Sequence, residues 1–365
     1  LSLYDSQDKG FLLAGGDLSG VQNFIYTITS KGALKTLRAR SFYVELLTSY
    51  VVSLLLEELS LPPTNIIFLG GARFTLLLPD SPSAEEKLRN CENQVNDWLW
   101  RKFAGRLYLA LKSVPLSKEE LKGKGLVKKQ EELRRILERE KLAKFASHSE
   151  QLFQPREIKG VRCEKCGEII YECDVCQAKE EKYYEVEDFH LCPLCHTLHE
   201  MGGELPRLKC LFEHPAGEIE LPQARYKVSP KLEGIPQSGR VFLINVGAEE
   251  APTNPQINFL PLASYVKRDE EGKVYDFDAF AQHSRGAELV GFLRMDVDNL
   301  GRIFSEGLGE YSFSRLATLS RFLSLFFKRY IDGIVKDRNV AVVYSGGDDL
   351  FIVGSWDDVL ECSFL

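Results

Sequence analysis

The sequence predicts an α+β protein built on a duplicated strand–helix–hairpin unit, with a cysteine-rich module between the two copies. Three observations carry this expectation. Residues 340–354, VAVVYSGGDDLFIVG, read as an apolar strand, a Gly-Gly turn, two carboxylates and a second apolar strand. Residues 66–78, IIFLGGARFTLLL, follow the same plan. Between them, residues 163–195 hold three CxxC pairs.

The second copy carries the unusual charges. Two adjacent carboxylates, Asp348 and Asp349, beside a turn between apolar strands repel each other and resist burial unless a cation joins them. The plainer alternative is a polar turn, in which Asp is common. Upstream, LVGFLRMDVDNLGRIF (289–304) is an apolar strand running into Asp296-Val297-Asp298, then Asn299 and a helix start. Period-two alternation is expected to place Asp296 and Asp298 on one face. Strand, helix and GGDD hairpin, in that order, suit a palm-type nucleotidyl transferase or cyclase. Such a site holds Mg²⁺ or Mn²⁺ between carboxylates and nucleotide phosphates.

The first copy repeats the plan without the paired carboxylates. Residues 11–16 form a strand leading to Asp17, Ser19 and Gly20, and residues 40–59 have helical length and an apolar face. Pro62-Pro63 ends the helix, and Gly70-Gly71 makes the turn. Asp17 to Gly70 spans 53 residues and Asp296 to Gly346 spans 50, a spacing that indicates a duplicated domain. Ala72-Arg73 stands where Asp348-Asp349 stands in the second copy. Asp17 and Ser19 therefore either line a nucleotide, with Arg73 as a phosphate or base donor, or cap a helix. A helix over 83–104 and a strand over 106–114 close this copy.

The bulk numbers bound the rest. At 365 residues with 44% hydrophobic and 27% charged content, the chain is an ordinary globular protein of two or three domains. A net charge of −7 argues against a broad nucleic-acid surface and leaves room for local basic patches. No apolar run approaches the roughly 18 residues of a membrane span, and no signal-peptide pattern opens the chain. Nine cysteines, six in CxxC pairs, suit bound metal in a reducing cytosol.

Eleven Lys/Arg against six Glu between Lys112 and Lys144 suggest a basic helical connector, read as solvated and laced with ion pairs. In the cysteine module, Cys192 and Cys195 are the firmest ligands for one structural zinc. Either Cys163-Cys166 or Cys173-Cys176 can complete the four. His190, His196 and His199 are read as surface residues. Residues 205–288 read as a linker with short strands, and His283 as polar surface.

Four segments together, GDLSGVQNFIY (16–26), CPLCHTLHEMG (192–202), LRMDVDNLGRIF (293–304) and YSGGDDLFIVG (344–354), resemble the large subunit of type III CRISPR effector complexes, of the Csm type. The resemblance implies two ferredoxin-like, nucleotide-cyclase-like palm domains with an intervening zinc-binding module. It implies boundaries at 1–115 (first palm), 116–160 (connector), 161–205 (zinc module), 206–285 (linker) and 286–365 (second palm). It implies conversion of ATP to cyclic oligoadenylate when the complex, with its other subunits and guide RNA, binds target RNA. Asp296, Asp348 and Asp349 would be catalytic, with Asp296, Val297 and Asp348 at the metal. Asp17, Ser19, Gly20, Gly70, Gly71, Asp298, Asn299, Ser345, Gly346 and Gly347 would meet nucleotide.

No histidine is followed by Asp, so the HD nuclease activity of many family members is not expected from these residues. The repeat also predicts that the second palm lacks its final helix and strand within this sequence, to be completed by further polypeptide. Weak or absent activity is therefore expected of these residues alone. Two other functions fit less of the pattern: a non-catalytic scaffold docking guide RNA and neighbouring subunits, and a diguanylate cyclase.

Overall fold

Strand β1 (Phe11–Ser19) reads FLLAGGDLS, apolar on both alternating faces, a pattern that calls for a central strand covered on both sides. The computed structural model describes residues 10–27, 32–121, 123–146, 149–152, 172–186, 189–253, 256–307, 312–347 and 349–364. β1 lies antiparallel between β3 (Arg73–Pro79) and β4 (Tyr108–Leu116), and β2 (Ile66–Gly70) adds the far edge, giving the order β2-β3-β1-β4. Short helix α1 (Val21–Ile25) and long helix α2 (Ala33–Glu58) connect β1 to β2, and α3 (Pro82–Phe103) connects β3 to β4. This is the ferredoxin-like order. Ser81 caps α3 by accepting from the Ala84 amide at 3.2 Å, and Pro82 fills the first turn. Leu12, Ala14 and Leu18 of β1 share a core with α2 and α3. Leu13, on the opposite face, packs with Leu126 and Leu133 of α4 (Lys124–Leu142).

Helix α2 begins seven residues before the expected start and is buried almost throughout. By length and composition alone this helix could cross a membrane, although Arg38, Arg40 and Glu45 interrupt its apolar run. It is mostly buried inside the protein, as a core helix is. After a single turn, α5 (Ser149–Leu152), the hairpin β5 (Tyr184–Val186) and β6 (Phe189–Leu191) precedes α6 (Pro193–Glu204). Leu198 and Met201 of α6 join the same core as Leu34 and Leu37 of α2.

Residues 206–285 are not a linker. Strands β7 (Cys210–Glu213), β8 (Ile219–Leu221), β9 (Ala224–Ser229), β10 (Val241–Leu243) and β11 (Ile257–Phe259) form one sheet in the order β11-β10-β7-β9-β8. Leu211, Tyr226 and Phe242 of this sheet enter the α2 core. The strands are three to six residues long, too short for periodicity to show in sequence.

Helix α7 (Phe277–Gln282) leads to the second unit. It comprises β12 (Val290–Asp296), α8 (Leu300–Glu306), α9 (Phe313–Leu325), α10 (Ile331–Val335), β13 (Val340–Gly346), β14 (Asp349–Ser355) and α11 (Trp356–Cys362). The order β12-β14-β13 matches β1-β3-β2. Among the described residues no counterpart of β4 pairs with β12, and Phe292 of β12 is 61% exposed. The two units pack reciprocally, β13 against α2 and α9 against β2.

Candidate active site

Reciprocal packing brings the two Gly-Gly turns face to face. Gly71 and Gly347 take matching left-handed conformations, at φ of 57° and 67°. A Cβ on Gly70 would lie 3.0 Å from the Gly347 Cα, so glycine is what lets the turns approach this closely. Around them opens a cleft of about 940 Å³, walled on one side by Asp17, Ser19, Gly20, Gly70, Gly71 and Arg73, and on the other by Arg294, Asp296, Ser345, Gly346 and Asp349. Among described residues, the cleft thus gathers site positions that lie more than 270 residues apart.

The two walls differ in charge because one cross-strand pair differs. In the first unit Asp17 sits directly opposite Arg73, and their side chains bond at 3.1 Å. Lys141 at the end of α4 adds a second contact to the same carboxylate oxygen, at 2.8 Å. Asp17 is therefore neutralised by protein cations, and only 9% of it is exposed. In the second unit the equivalent pair is Asp296 opposite Asp349. Directly opposed strand residues have Cβ atoms about 5 Å apart. Two carboxylates facing each other across one register position repel each other. Two opposed carboxylates of this kind can take a cation between them, and oxygen donors without His are the ligand type that Mg²⁺ prefers.

The remaining site positions separate. β12 ends at Asp296, and Asp298 and Asn299 lie in the turn beyond it, outside the cleft wall, so period-two alternation does not extend to Asp298. Val297 packs against the apolar core beneath the second sheet. Ser345 is buried, and its hydroxyl donates to the Phe327 carbonyl. Asp348, Cys163 and Cys166 lie outside the described residues. Sequence reasoning passed over Lys141, Lys144, Gln130, Tyr26 and Tyr344, which also line the cleft. The Tyr26 and Tyr344 hydroxyls meet across the two units at 3.4 Å. Burial, Tyr26 and the neighbouring Asp349 push the Tyr344 hydroxyl far above its ordinary range. The connector helix α4 is partly as expected: Arg134 and Arg135 pair with Glu131 on its solvent face, while Leu126 and Leu133 bury the other.

Beneath the second turn, a π-helical segment, Phe326–Tyr330, aims Lys328 at Gly346 and pairs it with Glu45 of α2. Lys328 is 4% exposed, and burial pushes its ammonium down to about 8. Removing one partner strands the other, so Lys328→Met is expected to cost about 3 kcal/mol in a denaturant melt. The double variant with Glu45→Gln should recover most of that loss. Gly20 is constrained as tightly: its φ is 91°, and a Cβ would lie 1.9 Å from the Arg106 carbonyl oxygen. Gly20→Ala is expected to lower the urea midpoint by the equivalent of about 3 kcal/mol at unchanged m-value.

The second constellation is Cys173, Cys176, Cys192 and Cys195, whose sulfurs all lie within 4.8 Å of one another. The structure thus brings the middle CxxC pair to the last one. Cys176 and Cys192 sulfurs are 3.7 Å apart. A tetrahedron with zinc–sulfur bonds of about 2.3 Å has edges of roughly 3.8 Å, so the donor set fits zinc. His190 pairs with Asp174, and His196 stacks on Tyr184 at 4.1 Å, so neither joins the four sulfurs.

Residues 10–158 match the family described as Csm1 subunit domain B, and residues 289–364 match the Cas10/Cmr2 second palm domain. The chain belongs to the Cas10/Csm1 family. It is 34% identical to the subtype III-A single-strand-specific deoxyribonuclease Cas10/Csm1 of Thermococcus onnurineus, over 98% of this chain and 48% of that protein. The Mycobacterium tuberculosis Cas10/Csm1 is 32% identical over 99% of this chain and 48% of its own length. The chain spans about half the length of the curated relatives it matches. Its fold superposes on Csm1 in the type III-A Csm1–Csm4 subcomplex with a TM-score of 0.78 at 29% identity, covering 97% of this chain and 47% of that one. The Csm1–Csm4 cassette in complex with one ATP gives 0.78 at 29% identity, with the same coverage. In complex with cA3 it gives 0.77 at 28% identity, again covering 97% and 47%.

Proposed function

We propose that this Cas10/Csm1 chain binds ATP between its two palms and joins the adenylates into cyclic oligoadenylate, as a subunit of a type III CRISPR effector. The observation that carries this reading is the charge asymmetry across the cleft, Asp17 with Arg73 on one wall and Asp296 with Asp349 on the other. Lys144 and Arg294 also line the cleft, and with Arg73 and Lys141, which hold Asp17, they offer cationic donors to triphosphate oxygens among four carboxylates. Asp296 and Asp349, with Asp348, would hold Mg²⁺ or Mn²⁺, which when bound offsets phosphate charge and raises the acidity of a ribose 3′-hydroxyl. The facing glycine turns leave room for phosphates against bare backbone. Ser19 stands on the first-palm wall and would donate to a second ATP.

The related cassettes solved with ATP and with cA3 support this reading. Cys173, Cys176, Cys192 and Cys195 would hold one structural zinc, four thiolates leaving no open position for substrate. Guide RNA, target RNA and the other effector subunits are the partners, with target RNA as the trigger. Incubating the assembled complex with labelled ATP or GTP, with and without target RNA, tests the proposal. Cyclic adenylate formed from ATP only with target RNA is expected. Product from GTP alone, or none from ATP, contradicts it.

A further inference from the structure

Two arginines join the four-cysteine cluster to the short helix that walls the cleft. Arg40 of α2 is 1% exposed. One guanidinium nitrogen donates to the Cys195 sulfur at 3.0 Å, and the other terminal nitrogen donates to the Phe24 carbonyl at 2.8 Å. Its carbon lies 4.8 Å from the centre of the Phe24 ring. Arg106 repeats the link at the other end of the helix. Its guanidinium donates to the Cys176 carbonyl at 3.0 Å, while its own carbonyl lies directly beneath Gly20.

A buried guanidinium needs a negative partner, and among the described residues no carboxylate pairs with Arg40. With metal bound, Cys195 would supply that charge as a thiolate. Four thiolates around one divalent metal leave a net charge of about −2, which Arg40 partly offsets. Helix α1 has five residues and its Gly20 cap has no side chain, so tertiary contacts hold it. Phe24 and Ile25 bury in the main core, and the arginine link adds to that anchorage. Val21, Gln22, Asn23, Ile25 and Tyr26 all line the cleft.

We propose that Arg40 is a positioning residue through which the metal-loaded cysteine cluster fixes the α1 wall of the nucleotide cleft. The link from metal to α1 stands on the contacts above; its effect on nucleotide rests on the ATP reading of the cleft.

The test uses the protein in its assembled complex, with amide hydrogen exchange over residues 20–26, AMPPNP affinity and zinc content as readouts. In Arg40→Met with zinc retained, exchange over 20–26 should rise about tenfold and AMPPNP affinity fall about tenfold, with α3 unchanged. Arg40→Lys keeps the charge but reaches only one of the two partners, and should fall between. If Arg40→Met does not fold, Arg40→Lys and chelation of the wild-type protein carry the test, each raising exchange over 20–26. Unchanged exchange over 20–26 in zinc-loaded Arg40→Met, or in chelated wild type, overturns the proposal. Wild type that fails to bind AMPPNP removes the ATP reading, and the exchange data still decide the role of Arg40.

Discussion

Asp349→Ala is expected to lower ATP turnover by the assembled complex by roughly 10³-fold or more, about 4 kcal/mol of barrier. Its fold should remain intact. The reason is the strand register: Asp349 lies directly opposite Asp296, so removing it deletes half of a carboxylate pair and relieves like-charge repulsion. Asp17→Ala, at the matching position of the first palm, should behave in the opposite way. It breaks the contacts to Arg73 and Lys141 and costs stability, with a smaller effect on turnover. Turnover by Asp349→Ala within tenfold of wild type would remove the carboxylate pair from the mechanism.

Cys195→Ser is expected to reduce zinc from about one per chain to none and to lower the melting temperature by roughly 5–10 °C. The four sulfurs converge from a CxxC segment and from the start of α6, and around them only a small core, with Val175 and Leu191 buried, joins these parts of the chain. Cys91 and Cys210 are buried apart from the cluster, and burial pushes both thiols up, to about 12 and about 11. Cys91→Ser should therefore leave zinc unchanged. Elemental analysis of the two variants beside wild type checks both statements, and zinc-free wild type purified without chelator refutes them.

Much of the site could be read from residues alone because the signals were local. Gly-Gly turns between apolar runs fix a hairpin, and an Asp at the end of the preceding strand falls beside it in both copies. What local pattern does not carry is which side chains from distant elements arrive at the same place. Lys141 belongs to a helix whose charges read as solvated, yet its last turn reaches Asp17, 124 residues earlier. Arg40 opens an apolar run, RSFYVELL, and only the fold shows that the run is buried on all sides, which leaves its charge dependent on Cys195. The five-stranded sheet over 210–259 escaped because Pro and Gly interrupt strands too short to show alternation. Asp298 was drawn into the site by assuming that β12 continued beyond Asp296.

Divalent metal is expected to meet nucleotide at Asp296 and Asp349 and not at Asp17. Electron paramagnetic resonance of Mn²⁺ titrated into the assembled complex with AMPPNP measures this directly. Bound Mn²⁺ is expected in wild type and in Asp17→Ala, and its loss in Asp296→Ala and Asp349→Ala. Mn²⁺ bound undiminished in the last two variants, or lost in Asp17→Ala, would contradict the account.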